Sequence, residues 1–137
     1  MHMSKLLSIA VVALVSVPAQ PIFAHHSYAM FDLEKNVTLD GTIKEVQWTN
    51  PHIWIQLLVK DATTGKDVEW SIEGASPNML VRAGWTRNAL KAGDKAVMVI
   101  HPVRSGSNPN SGSLAEASVN GQRIFSRQGS NPVGEAK

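Results

Sequence analysis

A chain of 137 residues with 13 basic and 11 acidic side chains carries a formal charge of +2, is 43% hydrophobic and contains no cysteine. That length holds one domain and little else. The lack of cysteine excludes a disulfide framework, a thiolate metal site and a cysteine nucleophile, while interspersed charges of both signs exclude the basic stripe of a nucleic-acid binder.

Residues 1–24 place Lys5 ahead of an apolar run from Leu6 to Val17 and end on the small residue Ala24. This is the pattern of a secretory signal, and the run falls short of the ~20 residues a spanning helix needs. Export to the periplasm is therefore expected, with no membrane span after signal removal. Losing Lys5 turns 13 basic residues into 12 against 11 acidic ones, a formal charge of +1. Residues 25–36 follow as a histidine-rich arm that starts His25-His26-Ser27-Tyr28.

The next stretch, 41–59, reads as two strands folded about Asn50-Pro51, because proline lacks an N–H for a ladder and pushes the residue before it out of the helical region. Residues 42–49 mix β-branched and aromatic side chains with polar ones. From 52 to 59, Ile53, Ile55, Leu57 and Val59 share one face of an extended chain. Trp48, His52 and Trp54 gather at the corner. Residues 61–67 are polar, contain Gly65 and predict a hairpin loop. Residues 68–73 alternate Val68, Trp70 and Ile72 with Glu69, Ser71 and Glu73, giving a third strand with an apolar and a solvent-facing acidic side.

At Gly74 the period changes. Ser76 predicts an N-cap with Pro77 at the first helical position, and Met79, Leu80 and Ala83 supply a short apolar face before Gly84. Residues 91–94 form a turn into a strand at 95–101, apolar on both faces and so central. Residues 106–112 predict a mobile loop, 113–119 a last strand, and Asn120-Gly121 a two-residue turn with a brief return strand at 122–125. The tail 126–137 is nearly devoid of apolar residues and predicts disorder.

Three strands, a short helix and two further strands are the element order of an OB-like five-stranded Greek-key barrel over 37–125. The expected class is all-β with one short helix. A small β-sandwich is the alternative, although an immunoglobulin-like one calls for about seven strands and no helix at that point.

The words HHSYAMFD, WTNPHIWIQLLV, WSIEGASPNMLVRAGW and LKAGDKAVMVIHPVRSG resemble those of the DUF6152 family, small exported bacterial proteins of unknown function. The resemblance runs from about His25 to Gly121. It implies an exported, soluble, single-domain protein and supplies no activity.

Chemistry must therefore be argued from side chains. His25, His26, His52 and His101 are the groups suited to a transition metal near neutral pH. If the signal is cut after Ala24, the free α-amine and imidazole of His25 can chelate one copper ion, with His26, His52 or His101 completing a nitrogen-rich set that copper(II) favours. Met30 and Met98 suit copper(I), but Met98 falls in a strand core. The plainer reading makes the double histidine an exposed end, His52 a turn residue and His101 a strand end. A metal-free alternative is a protein or glycan interaction module, its ligand-binding residues being Trp48, Asn50, His52 and Trp54, since aromatics on the strand 2–3 face of an OB barrel are stacking platforms. Packing is the competing role for Trp48, Trp54, Trp70 and Trp85. Asp61, Asp67, Glu69 and Glu73 show no catalytic constellation, so a non-enzymatic binding module is expected, its partner an unknown periplasmic protein or small ligand.

Overall fold

In the computed structural model, which describes residues 28–106 and 108–126, the apolar alternation of the sequence becomes the inward face of a closed barrel. The elements are β1 (Val37–Gln47), β2 (Trp54–Lys60), β3 (Asp67–Glu73), α1 (Pro77–Arg82), β4 (Lys95–Pro102), β5 (Ser111–Val119) and β6 (Gln122–Ser126). Strands pair in the order β3-β2-β1-β4-β5-β6, and β3 also meets β5. The β3–β5 seam is parallel and the other pairings are antiparallel. A continuous five-stranded ring is incompatible with the two separate sheets of the sandwich alternative, and the OB-type barrel stands. β6 lies outside that ring, folded back on β5 by Asn120-Gly121, both at positive φ.

Closure requires a long, bent first strand. β1 begins at Val37, four residues before the expected 41, because its first half pairs with β4 and its second with β2. At the crossover a Cβ on Gly41 would stand 2.3 Å from the carbonyl oxygen of Leu58, so only glycine lets the strands pass. The register shift between Ile43 and Glu45 adds to the bend. The barrel is strongly sheared: the row Gln47, Trp54, Glu73, Ser113, His101 leaves β1 at its end and returns beside Val37 at its start.

Leu39, Ile43, Ile55, Leu57, Ile72, Met98, Ile100 and Leu114 fill the interior, with Ile53, Leu80 and Trp85 closing it. Strand β4 is central, as expected, lying between β1 and β5. Its two faces are not alike, however, because Ala96, Met98 and Ile100 point inward while Val97 is exposed. α1 starts as the sequence predicts, with Ser76 Oγ accepting the Met79 N–H at 3.3 Å and Pro77 at the first position. Its buried side is Pro77 and Leu80; Met79, expected on that face, is 63% exposed because a six-residue helix touches the barrel along one line only. Ser76→Ala should cost about 1 kcal/mol in a thermal melt, through loss of the cap.

The loop expected to be mobile is held at its far end. Ser111 Oγ donates to the Asn108 carbonyl at 2.8 Å, and the Ser71 N–H donates to the Asn110 carbonyl at 3.0 Å, so β5 starts at Ser111. The stretch 1–24 expected to be a signal, His25 and His26, and the tail from 127 onward lie outside the described residues.

Candidate functional site

Because Ile53, Ile55 and Leu57 point inward, Trp54 and Gln56 lie on the outer face of β2. Cross-strand partners share a face. Trp54 is opposite Glu73, Gln56 is opposite Ser71, Glu73 is opposite Ser113, and Ser113 is opposite His101. Four strands thus contribute one outer row, Trp54–Glu73–Ser113–His101. Among the described residues, Glu73 and Ser113 are the buried polar side chains, and they face each other across the seam that closes the barrel.

His52 joins this row from the β1–β2 loop. The Ile53 N–H donates to the Ala75 carbonyl at 3.2 Å, and the Gly74 N–H donates to the Ile53 carbonyl at 2.9 Å. A third bond, from Thr49 Oγ1 to the His52 carbonyl at 3.2 Å, braces the loop from within. These bonds fasten the loop to the chain just after β3. His52 Nδ1 is thereby set against Glu73 Oε1, with side-chain exposures of 22% and 10%. The approach is close enough that a Cβ on Gly74 would lie 2.5 Å from Ile53 Cγ1.

Glu73 was expected to be a solvent-facing, solubilising acid, and that expectation is corrected. It does face outward from the barrel wall, but the β1–β2 loop folds over it. A buried carboxylate is tolerated where a hydrogen-bond donor satisfies it, and the imidazole supplies one. Nothing in the local pattern of residues 68–73 separates Glu73 from Glu69, which lies exposed and pairs with Lys44 at 2.6 Å.

At the other end of the row, His101 Nδ1 lies 2.9 Å from the carbonyl oxygen of Lys35. A carbonyl only accepts, so Nδ1 is the donor in this bond. His52 likewise meets an oxygen through Nδ1, with the Glu73 carboxylate as its partner. The arm that provides Lys35 is strapped along the end of β4. Phe31 is buried and bridges Val103, the Asp32 N–H donates to the Pro102 carbonyl at 2.8 Å, and Arg104 Nε donates to the Phe31 carbonyl at 3.2 Å. Asp32 meets Lys35 at 3.1 Å and Arg104 at 3.9 Å.

The hydrogen bond from Lys35, then the charges of Lys35 and Arg104, hold the Asp32 carboxyl below the usual range despite opposing desolvation. A pKa lowered by folding adds stability above the unfolded value of about 3.9, and that stability is lost as pH falls through the folded value. Amide shifts of residues 31–35 should therefore move together below about pH 4. In Asp32→Asn that acid step should be missing.

The remaining candidates separate. Trp85 is core, and Trp48 and Trp70 are half-buried against it, whereas Trp54 is half-buried on the outer row. Asn50 is exposed in the loop, within the cis Asn50-Pro51 unit. Among the described residues no three His, Asp or Glu side chains converge as a metal cage. His101 stands two strands from Glu73, roughly 10 Å at ordinary strand spacing. An open groove of about 500 Å³ lined by Asp40, Thr42, Lys60, Asp67 and Lys95 lies toward the opposite ends of β2 and β3 and takes in none of the candidate histidines or tryptophans.

Comparison with curated proteins and with solved structures gives no match. Residues 11–112 match the model of a family of unknown function, DUF6152, and the chain belongs to that family.

Proposed function

We propose that this protein is an exported, non-enzymatic periplasmic binding module that takes up a transition metal, copper, through His52 and His101 together with His25 and His26 of the arm. The observation that carries this reading is the strapping of the arm beside His101 by Phe31, Asp32 and Arg104. His26 precedes Phe31 by five residues, a tether of at most roughly 18 Å. A metal held by the barrel histidines would therefore lie within reach of the arm. Support also comes from the two imidazoles, each engaged at Nδ1 by an oxygen acceptor, the arrangement that orients metal-ligating histidines. With no three ligands converging among the described residues, the arm must complete the set. Its first residue after signal removal brings an α-amine as well as an imidazole.

Calorimetric titration with copper(II) of the exported, processed protein tests the reading. Replacing His25 and His26 by alanine, or His52 or His101 singly, should weaken binding at least about tenfold, since even an outer-shell partner is worth about 10- to 100-fold. Equal affinity in all four proteins would refute it. A mature chain starting elsewhere than His25, seen by intact mass, would remove the amine chelate.

A second reading, a metal-free protein or glycan module at the Trp48, His52 and Trp54 corner, draws on one observation. Trp54 is half-buried on the β2–β3 face, directly opposite Glu73, where OB barrels carry ligands. Trp54→Ala should then abolish capture of a periplasmic partner that His25→Ala leaves intact.

A further inference from the structure

We infer that Glu73 is a positioning residue that fixes which nitrogen His52 offers to a ligand. A carboxylate has lone pairs and no hydrogen to give, so an imidazole that meets it through Nδ1 must carry its proton there. In the neutral imidazole the opposite nitrogen, Nε2, is then a lone-pair donor. In water an imidazole exchanges between its two tautomers, and a histidine on a loop would present a mixture. Here the mixture is resolved by a group whose backbone is fixed in the barrel wall. Glu73 is the last residue of β3 and is paired on both sides, with Trp54 of β2 and Ser113 of β5. The loop bearing His52 is tied to the residues after it by the Ile53–Ala75 and Gly74–Ile53 backbone bonds.

Burial adds a second argument. A carboxylate with 10% side-chain exposure is costly for a barrel wall when a neutral acceptor such as glutamine fills nearly the same volume. Besides its charge, what the carboxylate adds over an amide is that it can act only as an acceptor. Glutamine can present its oxygen or its NH2 to the ring and would let either tautomer form. His101 is set by a backbone carbonyl, which is acceptor-only as well. Both barrel imidazoles are engaged at Nδ1, so each, when neutral, keeps Nε2 for an electron-pair acceptor such as a transition-metal cation. For the identity of that ligand the inference rests on the metal reading above; for the tautomer it rests on the geometry of His52 and Glu73 alone.

The experiment is nitrogen-15 NMR of the imidazole of His52 in the metal-free, full mature protein, followed by copper(II) titration of the same samples. At about pH 9, above the ordinary histidine range, wild type should show a protonated, pyrrole-type Nδ1 and a bare, pyridine-type Nε2. Glu73→Gln should shift both signals toward an average of the tautomers and weaken copper binding by about 10- to 100-fold, the usual cost of losing an outer-shell partner. Glu73→Asp keeps an acceptor-only group and should retain the wild-type tautomer. A wild-type His52 protonated at Nε2, or signals unchanged in Glu73→Gln, would overturn the inference whether or not metal binds. Wild-type signals as expected with no copper uptake would overturn the metal reading and leave the positioning role of Glu73 standing.

Discussion

Trp85→Ala should destabilise the protein by about 3–5 kcal/mol, the range for emptying a large buried aromatic site. Trp85 is 2% exposed, follows α1 and closes one part of the core. Its indole N–H donates at 2.8 Å to the carbonyl of Ile124 in β6, so one side chain joins the helix connection to the strand outside the barrel ring. Truncation removes the ring and orphans a buried carbonyl. Domains of this size have about 5–15 kcal/mol in total, so the variant should unfold at far lower urea than wild type. Trp85→Phe keeps most of the apolar volume and loses the donor, which should cost about 1–3 kcal/mol. A loss under about 1 kcal/mol for the alanine variant would mean that the tryptophan is not part of the cooperative core.

Gly74 should give the second large effect, and its test is a coupling rather than a single loss. A methyl group at Gly74 would stand 2.5 Å from Ile53 Cγ1 and 3.0 Å from Cδ1. Gly74→Ala should therefore cost about 1–3 kcal/mol through overpacking. Ile53→Ala should cost about 2–5 kcal/mol, since Ile53 is fully buried. The double variant should lose clearly less than the sum, because removing the isoleucine side chain takes away the atoms the new methyl would strike. Strict additivity would show that the two residues do not meet. Gly74 is the neighbour of Glu73 and Ile53 the neighbour of His52, so Gly74→Ala should also displace the imidazole from the carboxylate and shift the His52 nitrogen signals. Packing and site geometry are thus set by the same close approach.

How far the molecule is legible before folding depends on how local each feature is. The inward face Ile53, Ile55, Leu57 follows from a two-residue period. Ser76-Pro77 announces the helix start because a cap is a contact over three residues, and Asn120-Gly121 announces the last hairpin because positive φ is a property of the residues themselves. The true start of β1 is not legible because residues 37–40 become strand only through pairing with β4, about sixty positions along the chain. Met79 was misplaced because the helical period gives a face but not the width of the barrel edge that covers it.

The candidate site divides along the same line. His52, His101 and Trp54 stand out by residue type, and the corner at Asn50-Pro51 by proline chemistry. Glu73 and Ser113 do not stand out, and no local signal marks them. The amino-acid sequence by itself determined the strand faces, the helix cap, the turns and the order of elements, because alternation, capping and turn propensity act over a few residues. Only the tertiary structure decided that an outward-pointing glutamate is buried against His52, that Ser113 lies between Glu73 and His101, and that the arm ends beside β4. Those facts depend on the shear with which the barrel closes, and shear is set by the packing of all five strands at once.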